Sequence, residues 1–252
     1  MAKLSNYKVV SNAALRVKCG TADEMMIRGL QSITLPIGFT TETTTVSVMG
    51  ERIAKKLPTG GEYEDISIDY AWAPGDKSQA YMRQASLNNT EIRDMRFYVD
   101  DNVLCGDFAA LDLISDSSGC YRVGSVSSPS GSKNDLFTGS LTITPAGPSV
   151  EFSYHAHGTD LEFDAASGGA TCTSTNQDFV EKGFEVGMTV IIDKLDGEDP
   201  IYAKIKTVTS HAITFEENVG DEARIPSATG AATTAMHGAF PMVMDDGSLS
   251  CD

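Results

Sequence analysis

The sequence predicts a mainly β protein: a two-sheet β-sandwich or partly open barrel with one flanking helix, followed by a second, small all-β module. Three observations carry that reading. β-Branched residues alternate with polar ones over short runs, turn residues recur between the runs, and in the first unit one stretch alone has helical spacing.

Taken in order, "TTTVSVMG" sets Thr44, Val46 and Val48 on one face, and "YEDISIDYAW" sets Ile66, Ile68 and Tyr70 on one face at period two. The two runs are expected to pair as a long hairpin with "GERIAKKLPTGGE", residues 50 to 62, at its tip. A tight turn needs only about two to five residues, so this length marks a functional or a mobile segment. It carries Arg52, Lys55 and Lys56 beside Glu62, Glu64 and Asp65. Two readings stand: a charged arm reaching another subunit, or a solvated loop without a partner. The helix falls in "PGDKSQAYMRQASLNN", where Asp76 serves as N-cap, Ala80, Tyr81, Met82, Ala85 and Ser86 give an amphipathic stretch, and Asn88 and Asn89 end it. Further strands are expected at 92–100, 104–115, 119–127, 136–144 and 149–155.

Charge divides the chain of 252 residues, whose formal net charge is -16. Residues 1–155 hold 18 acids and 14 bases, net -4, whereas residues 156–252 hold 17 acids and 5 bases, net -12. Between them, Gly158 and the Ser-Gly-Gly at 167–169 punctuate "HAHGTDLEFDAASGGATC". The units read are therefore 1–157, a small β module at 158–235, and a C-terminal segment at 236–252. In the module, Leu161, Phe163, Phe179, Phe184, Gly187 and Val190 give a strand, a short helix and a second strand. Phe179 packs from the helix, Gly183 and Gly187 make turns, and "IYAKIKTVTS" and "HAITFEE" extend the sheet begun by Val190–Ile192. The last segment either docks back on the first unit as an edge strand or ends as a frayed tail. Docking is favoured, because an exposed patch of Phe240, Met242, Val243 and Met244 is a liability.

Composition and motifs narrow the function. A surplus of acids argues against close wrapping of nucleic acid, and no window approaches the roughly 18 apolar residues of a membrane span. A soluble protein made in the cytosol is expected. Cys19, Cys105, Cys120, Cys172 and Cys251 are odd in number and scattered, so they suggest neither a disulfide framework nor a zinc cage. His155 and His157 share a strand face, a spacing that can chelate a metal, but no third ligand stands out beyond Asp160; both are read as module-junction residues. Adjacent acids (Asp100-Asp101, Glu216-Glu217, Asp245-Asp246) point to opposite faces in strands and cannot share one substrate. No catalytic, cofactor-binding or metal-ligating residue is assigned.

The order of parts carries a resemblance. A short N-terminal strand region, "TTTVSV", a basic Gly/Pro loop, the strand ending in "YAW", a helix, "RFYVDD" and a closing "GSLTITPAGPSVEFSY" resemble the major tail tube proteins of long-tailed bacteriophages over roughly residues 10–155. The resemblance implies two packed sheets with a flanking helix, homohexameric rings, and rings stacked into a hollow tube through which DNA passes. It implies a virion location in the tail after assembly in the host cytoplasm. The partners implied are further copies of the chain and tape measure, tail tip and tail terminator proteins, with transient, non-specific passage of DNA and no membrane insertion. In such proteins the long hairpin loop lies between rings, so Arg52, Lys55, Lys56 and Pro58 are the residues expected at that contact. "DFVEKGFEVGMTVII" is similar to a small β-barrel module of several phage tail proteins, whose role on a tube stays open: outward ornament, host binding or ring reinforcement. An acidic lumen gains little support from the total charge, since 12 of the 16 net charges fall in residues 156–252. Two rival classes stand beside this one: a monomeric adhesin or carbohydrate-binding β-sandwich using Trp72 or Tyr121, and a hydrolase with a site in the cleft between modules.

Overall fold

Twenty strands and one helix form in the computed structural model, which describes residues 13–17, 25–46, 55–99, 104–114, 117–165, 169–193, 195, 200–216, 225–232 and 234–240. In chain order the first strands are β1 Ala14–Val17, β2 Met25–Ile27, β3 Leu30–Ile33, β4 Phe39–Val46, β5 Lys55–Tyr63 and β6 Ile66–Ala71, followed by helix α1 Lys77–Asn88. Next come β7 Glu91–Ile92, β8 Met95–Tyr98, β9 Phe108–Leu111, β10 Cys120–Val126, β11 Thr138–Ala146, β12 Ser149–Phe152 and β13 Tyr154–His157. The last are β14 Glu162–Asp164, β15 Thr171–Thr173, β16 Thr189–Asp193, β17 Ile201–Val208, β18 Ala212–Phe215, β19 Ala228–Thr229 and β20 Ala235–Ala239.

Period-two burial builds the first core. Ile66, Ile68 and Tyr70 of β6 and Leu141 and Ile143 of β11 are buried while their neighbours face water, as expected of a sheet with one covered face. These strands belong to a sheet ordered β3–β6–β11–β10–β7, packed on a second sheet ordered β12–β9–β8–β1–β2. The first core lies between them, with Leu15, Val17, Ile68, Met95, Phe97, Leu111 and Ile143 among its members. Strands β8 and β9 break the alternation, since every residue of both is buried. Their second face meets a second layer: Tyr98, Phe108 and Ala110 share an apolar cluster with Phe152, Ile191 and Ala239. The middle sheet is therefore covered on both sides.

The remaining strands form an eight-stranded antiparallel sheet ordered β13–β20–β16–β17–β18–β15–β14–β19, folded around its own core of Phe163, Phe179, Phe184, Val190, Ile205 and Phe215. It is joined to the sandwich by backbone. β12 pairs with β9, then after Ser153 the same run continues as β13 and pairs with β20. The C-terminal strand β20 bonds to β13 and β16, and Phe240 sets its ring edge-on to Tyr154 at 5.6 Å; residues 241–252 lie outside the described residues.

Helix α1 starts as its sequence dictates. The Asp76 carboxylate accepts from the Gln79 amide at 3.0 Å, and Asn89, at φ 50°, ends the helix in the left-handed conformation with its amide bonded back to Ser86 and Ala85 carbonyls. Met82 and Ala85 are buried, and so are the polar Ser78 and Gln79. Gln79 ties the helix to the sheets, its Nε2 donating to the carbonyls of Arg28 and Ala71.

Several local expectations change. The run at 66–71 does not pair with the threonine-rich run: β4 pairs with β5, which is formed from the stretch expected as loop, while β6 pairs with β3 and β11. Gly60, Gly61 and Pro58 are tolerated because the ribbon has outer edges and a register shift, with Thr59 skipped between Pro58 and Gly60. The expected strand at 92–100 divides into β7 and β8, which lie in different sheets. The expected helix around Phe179 is a single turn, closed by the Lys182 amide on the Asp178 carbonyl at 3.0 Å and stopped by Gly183 at φ +85°.

Candidate functional site

Two places in the fold invite a functional reading, a hairpin that pairs with no further strand among the described residues and a polar cluster buried where the sandwich meets the eight-stranded sheet. Antiparallel pairing in the hairpin runs from Phe39↔Tyr63 to Val46↔Lys55, so β4 and β5 make a ribbon roughly 26 Å long at about 3.3 Å per residue. Among the described residues these strands pair only with each other. The base is fixed by the Glu64 amide on the Gly38 carbonyl and by the Thr40 hydroxyl on the Glu64 carboxylate, both at 3.1 Å. Lys55, Lys56 and Pro58 stand on β5, opposite Val46, Thr45 and Thr43; Arg52 lies outside the described residues. A two-stranded ribbon is marginal alone in water and becomes stable when a third strand or a packing face completes it.

The buried cluster is built by strands far apart in sequence. Arg96 on β8 points away from the first core, and its guanidinium grips the Asp193 carboxylate at the end of β16 with two bonds of 2.5 and 2.8 Å. Its Nε donates to Asp94 at 3.2 Å, and its cationic plane lies 5.2 Å from the centre of the Phe108 ring. Burial alone would weaken both charges. Each instead stabilises the other, so Asp193 is held well below the usual carboxylate range and Arg96 above its ordinary value. His237 on β20 sits fully buried beside them, its ring edge-on to Phe108 at 5.1 Å and its Nε2 3.3 Å from Asp193 Oδ2. Burial pushes His237 below the ordinary imidazole value; Asp193 opposes that, while Arg96 and His155 add to it.

His155 joins this cluster and its strand neighbour does not. His155 Nδ1 is 2.9 Å from His237 Nδ1 and its Nε2 is 3.1 Å from Asp107, whereas His157 is exposed. Asp160 is engaged elsewhere, accepting from Ser174 at 2.5 Å and Gln177 at 2.9 Å within a turn of the eight-stranded sheet. Among the described residues no three His, Cys, Asp or Glu side chains converge as a metal-binding group. His211 bonds the Gln177 carbonyl at 3.0 Å. Cys120 and Cys172 are buried, the latter thiol pushed up to about 12 by its apolar surroundings, and Cys105 is exposed. Cys19, Cys251, Asp100-Asp101 and Asp245-Asp246 lie outside the described residues, as does Glu217.

The rival sites fare differently. Tyr121 is buried, its ring packed on Phe97 at 5.5 Å and its hydroxyl 3.3 Å from Ser149, so it offers no stacking face to a glycan. Trp72 is half-buried against the edge of Phe137, 6.0 Å between ring centres. Where a cleft was expected between modules, Tyr98, Phe108, Phe152, Ile191 and Ala239 fill the space. Arg96 and Asp193 escaped detection from sequence because they are 97 residues apart and neither belongs to a motif.

No family model matches the sequence, and no curated protein matches it. The fold is similar, at low identity, to tail and baseplate components of phage-like particles. A chain in the virion of a native gene transfer agent particle aligns at 16% identity, covering 57% of this chain and 97% of that one, with a TM-score of 0.41. A chain of the six-fold symmetrised anti-feeding prophage baseplate aligns at 7% identity over 56% and 93%, TM-score 0.40. The SPP1 Dit protein, described as a hub adsorption apparatus of phages infecting Gram-positive hosts, aligns at 10% identity over 90% and 98%, TM-score 0.32. Likenesses this distant leave the function to be read from the chain itself.

Proposed function

We propose that this chain is a structural subunit of a phage-type tail, which closes into homohexameric rings that stack into a hollow tube for the passage of DNA. The observation that carries this reading is the β4–β5 ribbon, whose strands pair only with each other among the described residues and which a neighbouring subunit would complete. Lys55, Lys56 and Pro58 on that ribbon, with Arg52 in the segment between its strands, are the contact residues toward the next ring. Heterologous contacts of this kind close around a ring and continue along an axis. Residues 1–157 act as the tube-forming unit, whose last strand β13 joins the sheet of the appended module at 158–235, and β20 brings the start of the segment 236–252 into that same sheet. The role is one of assembly and requires no catalytic group.

Electron microscopy of the purified protein over a concentration series tests the reading. Rings or hollow tubes are expected with the full chain, and single rings or monomers with a variant in which residues 42–60 are replaced by a two-residue turn. A chain that stays monomeric at every concentration, with a preformed tail tip supplied as initiator, would refute it.

A further inference from the structure

Gln79, buried at the start of α1, draws three segments of the sandwich together. Its Nε2 donates to the carbonyls of Arg28 at 3.1 Å and Ala71 at 2.9 Å, and its Oε1 accepts from the Ala73 amide at 3.1 Å. The walls pinned in this way border a groove of about 710 Å³, with an apolar lining of Met25, Met26 and Pro74 and three cationic side chains, Arg16, Arg28 and Lys77. The Arg16 guanidinium lies over the Tyr98 ring at 5.6 Å, whereas Arg28 and Lys77 are exposed and make no ion pair with a described residue. Asp76 in the same wall accepts from the Ser78 hydroxyl and the Gln79 amide, and one carboxylate against three cations leaves the groove positive. In a chain of net charge -16, that surplus marks a seat for an anionic partner.

The chain itself carries a matching anion. Glu62, Glu64 and Asp65 are exposed where β5 turns into β6, at the foot of the ribbon. Glu64 accepts from Thr40 at 3.1 Å and Asp65 from Thr144 at 2.7 Å, but none of the three pairs with a described cation. These carboxylates precede the first residue of β6 and the groove begins past its last, so the six residues of β6 hold the two about 20 Å apart at 3.3 Å each. One subunit therefore cannot place its own turn in its own groove. A second copy can, and because the two surfaces lie at opposite ends of one strand, each copy engages the next in the same sense. Such a contact repeats along an axis and does not close as a two-fold pair. We propose that the groove is the seat for the acidic β5–β6 turn of a second copy, with Arg28 and Lys77 set against Glu62 and Glu64. The proposal rests on the stacked-ring reading above and supplies it with a receiving surface. Met25, Met26 and Pro74 exclude water around the ion pairs, and charge complementarity fixes the direction of stacking.

Sedimentation over a concentration series tests the contact. Arg28→Glu with Lys77→Glu should keep the fold, read by far-UV circular dichroism, and raise the concentration needed for assembly on the order of a hundredfold, since like charges then face each other. Glu62→Lys with Glu64→Lys should do the same. The quadruple variant, in which both surfaces are reversed, should assemble again. Wild-type assembly should weaken about tenfold between ~0.05 and ~0.5 M salt. A groove variant that forms tubes at the wild-type concentration would overturn this proposal and leave the tube reading standing, as would a folded quadruple variant that does not recover. A wild-type chain that never assembles, even on a preformed tail tip, would overturn both. Should a variant fail to fold, the salt series decides, and assembly indifferent to salt would overturn the proposal.

Discussion

The ribbon and the buried cluster solve the same problem in opposite ways. Both are places where a β element leaves the sandwich. At the cluster the chain completes the contact itself: β12 runs on as β13, Arg96 meets Asp193 across it, and Phe108 and Phe152 stack at 4.9 Å between the layers. At the ribbon, β4 and β5 extend from the sandwich with no third strand among the described residues. Internally completed contacts carry stability, and the uncompleted one is where we propose that assembly occurs.

The largest expected effect comes from breaking the cluster with half of its ion pair. Arg96→Ala leaves Asp193 buried without its partner and should lower stability by about 3–5 kcal/mol, read by denaturant unfolding. Replacing both, Arg96→Met with Asp193→Leu, should recover most of that loss, because the desolvation cost disappears with the charges. Phe108→Ala, which removes the ring shared by Tyr98, Phe152, His237 and Arg96, should cost about 3–5 kcal/mol. If Arg96→Ala or Phe108→Ala were neutral, the two layers would not be held together by this contact.

Acid sharpens the contrast further. His237 has a folded-state value below its unfolded one, so in the window beneath about pH 6.5 the unfolded chain binds more protons than the folded one. Stability is then fully present above that window and is lost as the pH falls through it. Thermal melting should show a decline below about pH 6.5 in the wild type that His237→Gln removes. Asp193, held low mainly by Arg96 against its burial, adds a second loss at still lower pH, below the ordinary carboxylate value.

The smallest expected effect on stability belongs to the ribbon. Replacing residues 42–60 with a two-residue turn should shift unfolding by no more than about 0.5 kcal/mol, because none of the described core residues of the sandwich lies in that stretch. The same change should abolish long assemblies. A large loss of stability would mean that the ribbon is a structural element of the subunit itself.

Much of the sandwich was legible in the sequence, and the reason is one-sided burial. Ile66, Ile68 and Tyr70 alternate with polar neighbours, and Asp76 and Asn89 cap a helix with their own side-chain chemistry and backbone preference. Strands β8 and β9 fall inside the expected runs 92–100 and 104–115, but their cover on both faces was not legible, because Arg96 reads as a solvent-facing residue until Asp193 is set against it. Legibility failed at Lys55–Tyr63, where Pro58 and two glycines read as loop but are accommodated in a ribbon with a register shift. His155 was singled out beside a strand neighbour, yet its true companions, His237, Asp107 and Asp193, come from segments 48 or more positions away in sequence or reach it through β20. Pattern within a segment cannot reveal such pairs.

Hydrogen–deuterium exchange at low and high protein concentration tests the central contrast most directly. Amides of β4 and β5 should exchange fast in the dilute subunit and become protected on assembly, while those of β8, β16 and β20 should be protected in both. A ribbon already protected in the dilute subunit, or one that stays unprotected in assembled tubes, would contradict that contrast.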